Sequence, residues 1–284
     1  MVLAINPFAA TAPVRPSLCS IGFQTANKWV AHPPIERPLL EVVDIAAREG
    51  FAGIEIWYPH WSTLDQAGRA RVYERIQARG LAVPMLSAYY NFTKSAQHAR
   101  NSLALGHQVI ADAQQVGAAN IRIFTGNHRS ADASPEQWQR CRRCLQELCD
   151  AASAADIGLC LETHDWNLMD TVEGTERLLE LVDRPNLGLI FQASTFGPQS
   201  WHWALQRLAP WVRHVHAPPG KEGLHGSAFD YEGQLRHLIE HGFRGFVSLE
   251  YMGQNPQHAI NSDGRWLIHL CHRLRGDHSG GEHA

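Results

Sequence analysis

The chain has 284 residues, of which 44% are hydrophobic, and it carries a formal net charge of −3 at pH 7. This length and apolar fraction predict one globular domain with a sizeable core. Because no long run of one charge occurs, the composition argues against nucleic acid or an anionic membrane as a partner and favours a small-molecule substrate.

Signals for export or membrane insertion are weak in this sequence. No apolar run reaches the ~20 residues that a membrane-spanning helix needs. The first residues lack a basic start followed by a long apolar run, which is the pattern of a secretion signal. The six cysteines are scattered along the chain, which favours free thiols in a reducing compartment and predicts a cytoplasmic location.

Short apolar segments alternate with longer amphipathic segments along the whole chain. Strands are predicted at residues 17–24, 53–57, 83–90, 120–125, 158–162, 187–192, 212–216 and 246–250. Helices are predicted at residues 38–49, 65–79, 97–116, 135–155, 171–183, 200–208, 231–241 and 264–274. Eight strand–helix units in one continuous pattern predict an α/β fold, a single (β/α)8 TIM barrel.

The ends of this pattern set the expected domain boundaries. Residues 1–16 are predicted to be an N-terminal arm, residues 17–275 the catalytic barrel and residues 276–284 a flexible C-terminal tail. Ser134 followed by Pro135 is a typical helix start, and Gly50 after the first helix is a typical helix stop.

Four predicted strands in the second half of the chain end in a residue that can hold a metal ion. These residues are Glu162, Gln192, His216 and Glu250. The active site of a TIM barrel lies at the carboxyl ends of its strands, so we expect the four side chains to converge there. Side chains alternate between the two faces of a strand, which places His164 on the face of Glu162 and His214 on the face of His216.

Several short motifs resemble those of xylose-isomerase-like barrels, specifically the sugar phosphate isomerase/epimerase family. They are Gly53-Ile-Glu-Ile-Trp57, Ile121-Arg-Ile-Phe-Thr-Gly126, Leu161-Glu-Thr-His164, His214-Val-His216, Gly226-Ser-Ala-Phe-Asp230 and Ser248-Leu-Glu-Tyr251. Each motif is short, but their order and spacing extend the resemblance from about residue 17 to residue 274.

The resemblance implies a divalent metal held by a Glu, an Asp, a His and a Glu after strands 5 to 8. Carried over, these ligands are Glu162, Gln192, His216 and Glu250. Gln192 departs from the pattern, since a carboxamide can coordinate through its oxygen but brings no charge. It can alternatively bind substrate, or the barrel can lack a metal. Oxygen-rich ligation with one imidazole favours Mn²⁺, with Mg²⁺, Co²⁺ or Zn²⁺ as alternatives.

The resemblance further implies a sugar isomerase or epimerase of carbohydrate metabolism that acts on a ketose or keto-sugar. Such an enzyme removes a proton next to a carbonyl group, and Glu162 and Glu250 are the candidate catalytic pair. A lyase or dehydratase that eliminates β to the carbonyl shares this first step and is the alternative. A non-catalytic barrel that binds a ligand is a third hypothesis.

Other polar and aromatic residues near the strand ends are candidates for substrate binding. They are His164, His214, Glu55, Trp57 and Lys221, although Glu55 is equally compatible with an ion pair inside the barrel. Arg122 is expected either to reach a carboxylate ligand or to brace the barrel. The expected partner is a small carbohydrate, with no nucleic acid and no membrane, and the resemblance implies a homodimer or homotetramer.

Overall fold

The computed structural model describes residues 13–30 and 32–279. Eight parallel strands form a closed barrel in the order β1 to β8. The strands are β1 (Val14–Cys19), β2 (Gly53–Trp57), β3 (Leu86–Ser87), β4 (Asn120–Ile123), β5 (Gly158–Glu162), β6 (Leu187–Phe191), β7 (Val212–Ala217) and β8 (Gly245–Leu249). The TIM-barrel prediction is therefore confirmed.

Helices connect successive strands. They are α1 (Leu39–Glu49), α2 (Tyr58–Ser62), α3 (Gln66–Ala78), α4 (Ala96–Val116), α5 (Pro135–Ser153), α6 (Val172–Val182), α7 (Trp201–Leu208), α8 (Tyr231–Glu240), α9 (Pro256–Ala259) and α10 (Arg265–Ser279). A π-helical turn at Ile260–Gly264 lies directly before α10. None of the described helices is long and apolar enough to cross a membrane.

The chain forms two compact units, which we call the terminal unit (Met1–Pro84 and His216–Ala284) and the central unit (Met85–Val215). In the terminal unit β1 pairs with β2 and with β8, so that Ser17 lies opposite both Gly53 and Ser248. In the central unit the strands from β3 to β7 pair in chain order.

The strands form because their side chains are buried on both faces. All five residues of β5 and all five of β6 are buried, which is typical of parallel strands covered by helices. Inside the central unit Met85, Cys160 and Ile190 pack against one another. Glu162 is two residues beyond Cys160 and therefore projects on the same face of β5.

Most predicted elements agree with the structure, and the differences have local causes. The predicted strand 83–90 is reduced to Leu86–Ser87, and Pro84, which has no N–H to donate to a sheet, interrupts its first part. The helices α2 and α9 were not predicted. They have five and four residues, too few to show helical periodicity.

The chain ends also differ in extent from the predicted boundaries. Strand β1 begins at Val14 rather than residue 17, so the last residues of the predicted arm belong to the barrel. Helix α10 continues to Ser279, into the predicted tail. Residues 1–12 and 280–284 lie outside the described residues, and the arm and the tail stay predictions there.

Candidate active site

In the terminal unit a buried carboxylate and a buried imidazole form a hydrogen-bonded pair. Glu55 comes from β2 and His216 from β7, and both side chains are fully buried. Nε2 of His216 lies 3.1 Å from each carboxylate oxygen of Glu55. An ionised carboxylate only accepts hydrogen bonds, so Nε2 carries a proton and donates it.

The second nitrogen of the same ring faces another carboxylate. Nδ1 of His216 lies 3.3 Å from Oε2 of Glu250, the residue that follows β8. With the proton on Nε2, a neutral ring presents a lone pair at Nδ1 to the negative charge of Glu250. This arrangement favours a cation close to both groups, either a proton on Nδ1 or a metal ion.

Two further side chains of the terminal unit surround this pair. Burial raises the pKa of the Cys19 thiol, and the charges of Glu55 and Glu250 raise it further. Burial also raises the pKa of Tyr231, whose hydroxyl donates to the carbonyl of Pro218 at 3.3 Å. Both groups therefore stay uncharged at neutral pH, and neither neutralises Glu250.

In the central unit a buried ion pair lies at the carboxyl end of β5. Nη1 of Arg122 on β4 lies 3.2 Å from Oε2 of Glu162, and both side chains are 2% exposed. The expectation that Arg122 reaches a carboxylate is therefore confirmed. The guanidinium fixes the position of this carboxylate and compensates its negative charge in a place that solvent does not reach.

Gln192 follows β6, the strand that pairs with β5 in the central unit. Its backbone N–H donates to the hydroxyl of Thr163 at 2.9 Å, which ties the end of β6 to the end of β5. The side chain is 8% exposed, and its carbonyl oxygen Oε1 is buried without a hydrogen-bond partner in the described part of the chain. A buried carbonyl oxygen in this state suits a ligand atom for a cation.

Three half-buried rings form an aromatic wall in the central unit. Tyr89 stacks on Phe124 with 5.7 Å between ring centroids and 7° between planes. His164 meets Phe124 edge-on at 5.5 Å. The guanidinium of Arg122 lies 4.5 Å from the ring centre of Tyr89 and 4.9 Å from that of Phe124. We call Tyr89, Phe124 and His164 the aromatic wall.

The hydrogen bonding of His164 determines which of its nitrogens is basic. Nδ1 lies 2.8 Å from the carbonyl oxygen of Asp165, and a carbonyl only accepts, so Nδ1 carries the proton. In the neutral ring Nε2 therefore holds the lone pair. His164 can accept a hydrogen bond from a hydroxyl group through this atom.

The remaining predicted site residues differ in their exposure. Trp57 is fully buried, and its backbone N–H donates to the hydroxyl of Ser20. His214 is 1% exposed on β7, opposite Ile190 of β6. Contact between substrate and Glu55, Trp57 or His214 stays a prediction.

Lys221 is exposed and lines a cavity of about 570 Å³ in the terminal unit. Tyr251 and Trp266 line the same cavity, together with His225 and His258. The cavity offers room for a group larger than water beside the end of β8, but a substrate contact of Lys221 stays a prediction.

The metal-ligand prediction therefore concerns residues of both units, with Glu162 and Gln192 in the central unit and His216 and Glu250 in the terminal unit. Sequence reasoning missed the proximity of Tyr231 and Cys19 to the carboxylates. Neither residue lies at the carboxyl-terminal end of a predicted strand, so the pattern that identified the other residues did not include them.

Comparison with known proteins identifies relatives over most of the chain. The profile of the xylose isomerase-like TIM barrels matches residues 43–270. A 3-dehydroshikimate dehydratase of Bacillus anthracis is 28% identical over 209 residues, which cover 70% of this chain and 70% of that protein.

Solved structures of low sequence identity share the fold. The probable 3-DHS dehydratase involved in petrobactin synthesis from Bacillus anthracis matches with a TM-score of 0.74 and 23% identity, over 88% of this chain and 97% of that one. A xylose isomerase-like protein from Mycobacterium smegmatis in complex with magnesium has a TM-score of 0.72 and 16% identity, over 94% and 99%. D-psicose 3-epimerase with D-tagatose from Clostridium cellulolyticum H10 has a TM-score of 0.71 and 14% identity, over 94% and 98%.

Proposed function

This chain belongs to the xylose isomerase-like TIM barrel family, and from this membership we propose that it is a metal-dependent enzyme that removes a proton next to a carbonyl group. The observation that carries the proposal is the pair of buried carboxylates at strand ends, Glu162 beside Arg122 and Glu250 beside His216. Carboxylates in such surroundings are suited to take and return protons.

We propose dehydration as the overall reaction, with a hydroxylated cyclic keto acid as the substrate class. The 28% identical relative is a 3-dehydroshikimate dehydratase, which makes 3-dehydroshikimate the first compound to test. The stacked rings of Tyr89 and Phe124 support this choice, because the flat face of an aromatic ring packs well against a substrate ring that becomes planar as water is lost.

Glu162, Gln192, His216 and Glu250 are the proposed metal ligands. The buried carbonyl oxygen of Gln192 and the lone pair of His216 Nδ1 facing Glu250 fit a divalent cation. One imidazole among oxygen ligands suits Mn²⁺ better than a thiolate-seeking ion, and Mg²⁺ is the first alternative. When bound, such an ion acts as a Lewis acid that stabilises negative charge developing on substrate oxygens.

The side chains of the chain itself perform the proton transfers. A carboxylate oxygen of Glu162 or Glu250 takes the proton from the carbon next to the carbonyl. The same carboxyl group then returns that proton to the hydroxyl departing from the β carbon, so that water leaves and a carbon–carbon double bond forms. His164 accepts a hydrogen bond from a substrate hydroxyl at Nε2, and Glu55 keeps the His216 ring oriented through Nε2.

Epimerisation of a ketose is the second candidate. It is favoured by the presence of two separate carboxylates, because one can remove the proton and the other can return one to the opposite face of the same carbon. The epimerase neighbours, which include a D-psicose 3-epimerase with D-tagatose, agree with this alternative. No atoms are lost in this reaction, so its product has the mass of the substrate.

Mass spectrometry of the products tests the proposal directly. The purified chain is loaded with Mn²⁺ and incubated with 3-dehydroshikimate or with D-tagatose in D₂O. We expect a product lighter by one water from 3-dehydroshikimate. A ketose that is heavier than its substrate by about one mass unit, because one carbon-bound hydrogen has been exchanged for deuterium, would instead identify an epimerase.

Two isosteric variants and one surface control make the test specific. Glu162→Gln and Glu250→Gln should each lower kcat/KM by about a hundred- to ten-thousandfold, the contribution of a positioned acid or base. Glu41→Gln on the exposed face of α1 should leave the rate unchanged. Full activity in both site variants would exclude the two carboxylates as the proton-transfer groups.

A further inference from the structure

Lys28 lies on a well-braced loop that follows β1 in the terminal unit. The carboxylate of Glu36 accepts hydrogen bonds from the backbone of Thr25 and Ala26 at 2.9 and 2.8 Å. The side chain of Gln24 closes the loop by donating to the carbonyl of Pro34 at 3.0 Å. These hydrogen bonds hold the chain in place directly before Lys28.

The Lys28 side chain is buried although its ammonium group has only a neutral partner. The residue is 7% exposed, and Nζ donates to the carbonyl oxygen of Met252 at 3.0 Å. Among the residues that the structure describes, no carboxylate lies within ion-pair distance of this ammonium. An ammonium group has three N–H donors, so two remain available to a ligand.

Buried lysines are rarely left without an anionic partner, because desolvation of the charge is costly. The contact with Met252 places this ammonium on the loop that follows β8, two residues beyond Glu250. Burial lowers the pKa of Lys28, and the charge of Glu250 acts in the opposite direction. The contact with Met252 thus places the Lys28 side chain on the side of the terminal unit that carries Glu250 and His216.

We propose that Lys28 binds the carboxylate of the substrate and thereby selects a keto acid over a neutral ketose. This inference rests on the proposed function, since it assigns the substrate class of the same site. A carboxylate supplies the negative charge that the Met252 carbonyl lacks, and its oxygens can accept from the two remaining N–H groups, whereas the hydroxyl groups of a neutral sugar supply no charge. The only other lysines of the chain, Lys94 and Lys221, are exposed.

Binding of unreactive probes tests this assignment without requiring turnover. Calorimetric titrations of the Mn²⁺-loaded full chain compare shikimate, which is an acid, with its uncharged methyl ester. We expect wild type to bind shikimate more tightly than the ester. Lys28→Met should weaken shikimate binding by about ten- to a hundredfold, as expected for a lost hydrogen bond to a charged group.

Matched variants separate a substrate contact from a structural role. Lys28→Arg keeps the charge and should retain the preference for the acid, and Lys94→Met removes a surface lysine and should behave as wild type. Unchanged ester binding in Lys28→Met will show that the variant folds. Equal binding of acid and ester by wild type, or no binding of shikimate, would overturn the proposal.

A third probe, D-fructose 6-phosphate, tests whether Lys28 recognises a phosphate rather than a carboxylate. A preference for this phosphate over shikimate that disappears in Lys28→Met would overturn the carboxylate as the recognised group. These outcomes are independent of catalysis. Loss of the acid preference in Lys28→Met without turnover of 3-dehydroshikimate would support the role of Lys28 while contradicting dehydration.

Discussion

At the scale of single residues, the terminal unit organises its charges around one imidazole. Glu55 accepts a hydrogen bond from Nε2 of His216, and the carboxylate of Glu250 lies next to Nδ1 of the same ring. The carboxylate behind the ring determines which nitrogen carries the proton and so which nitrogen can bind a metal ion. Glu55 is thereby placed to orient His216, and its contact with sugar hydroxyls stays a prediction.

Substitution of Glu55 tests this orientation. Glu55→Gln keeps the size of the side chain but removes the charge that holds the imidazole tautomer. We expect the affinity for Mn²⁺ to fall by about ten- to a hundredfold, the usual effect of removing a carboxylate behind a ligating histidine. Mn²⁺ titration followed by electron paramagnetic resonance measures it. An affinity equal to that of wild type would separate Glu55 from the metal centre.

His60 is a second buried histidine whose environment predicts a dependence on pH. Its Nδ1 lies 3.0 Å from the hydroxyl of Ser20, and burial lowers its pKa to about 4. The unfolded chain takes up the proton below about pH 6.5, while the folded chain remains neutral down to about pH 4. Stability is therefore retained above pH 6.5 and is lost as the pH falls through this window.

The contribution of His60 can be isolated by comparing variants at two pH values. Between pH 7 and pH 5 it should lower the free energy of unfolding by about 2 kcal/mol. His60→Gln should remove this part of the pH dependence, whereas His269→Gln on an exposed helix face should keep it. Urea unfolding at both pH values measures the difference, and an identical loss in His60→Gln and wild type would refute the assignment.

At the scale of secondary-structure elements, helix α5 holds the loop that follows the aromatic wall residue Tyr89. Nε of Arg140 donates to the carbonyl of Phe92 at 2.9 Å, and the side chain of Gln137 donates to that of Thr93 at 3.0 Å. The first turns of α5 thus hold the segment that follows Tyr89. The start of α5 is itself stabilised by a capping box between Ser134 and Gln137.

Removal of this cap should weaken the central unit without touching the site. Ser134→Ala eliminates the side chain that accepts from the backbone N–H of Gln137, and helix caps contribute about 1 kcal/mol. We expect the free energy of unfolding to fall by about that amount in urea titrations. Ser153→Ala at the exposed end of the same helix is the control. An equal change in both variants would indicate helix propensity rather than capping.

At the scale of the whole molecule, the proposed metal should couple to folding. Metal ligands must be brought together by the folded chain, so a divalent ion binds the native state and stabilises it by about 2.7 kcal/mol at a hundredfold excess over Kd. We expect chelation to lower the melting temperature of wild type and added Mn²⁺ to restore it. Calorimetry with parallel metal analysis measures both.

Two variants identify the source of this effect. Glu250→Gln should abolish the response to Mn²⁺, and Gln192→Asp should strengthen it because a third carboxylate adds negative charge. Glu41→Gln serves again as the surface control. A melting temperature of wild type that does not respond to chelation, with no bound metal, would contradict the proposed metal centre.

The sequence by itself determined the architecture of this protein. Apolar segments of strand length and amphipathic segments of helix length alternate eight times, and this periodicity depends only on which faces must be buried. It also located Glu162, Gln192, His216 and Glu250 near strand ends. The sequence also placed Cys160 and Glu162 on one face of β5, because side chains two residues apart in a strand project on the same side.

Only the tertiary structure decided which of these residues contact one another. The pairing of Glu55 with His216 joins positions that are 161 residues apart, and no local pattern contains such a contact. The buried ammonium group of Lys28 donates to a carbonyl group 224 residues away, and the residues next to Lys28 in the sequence do not predict this contact. Hydrophobic periodicity specifies the faces of elements, whereas hydrogen-bond partners and desolvation arise from the packing of distant segments.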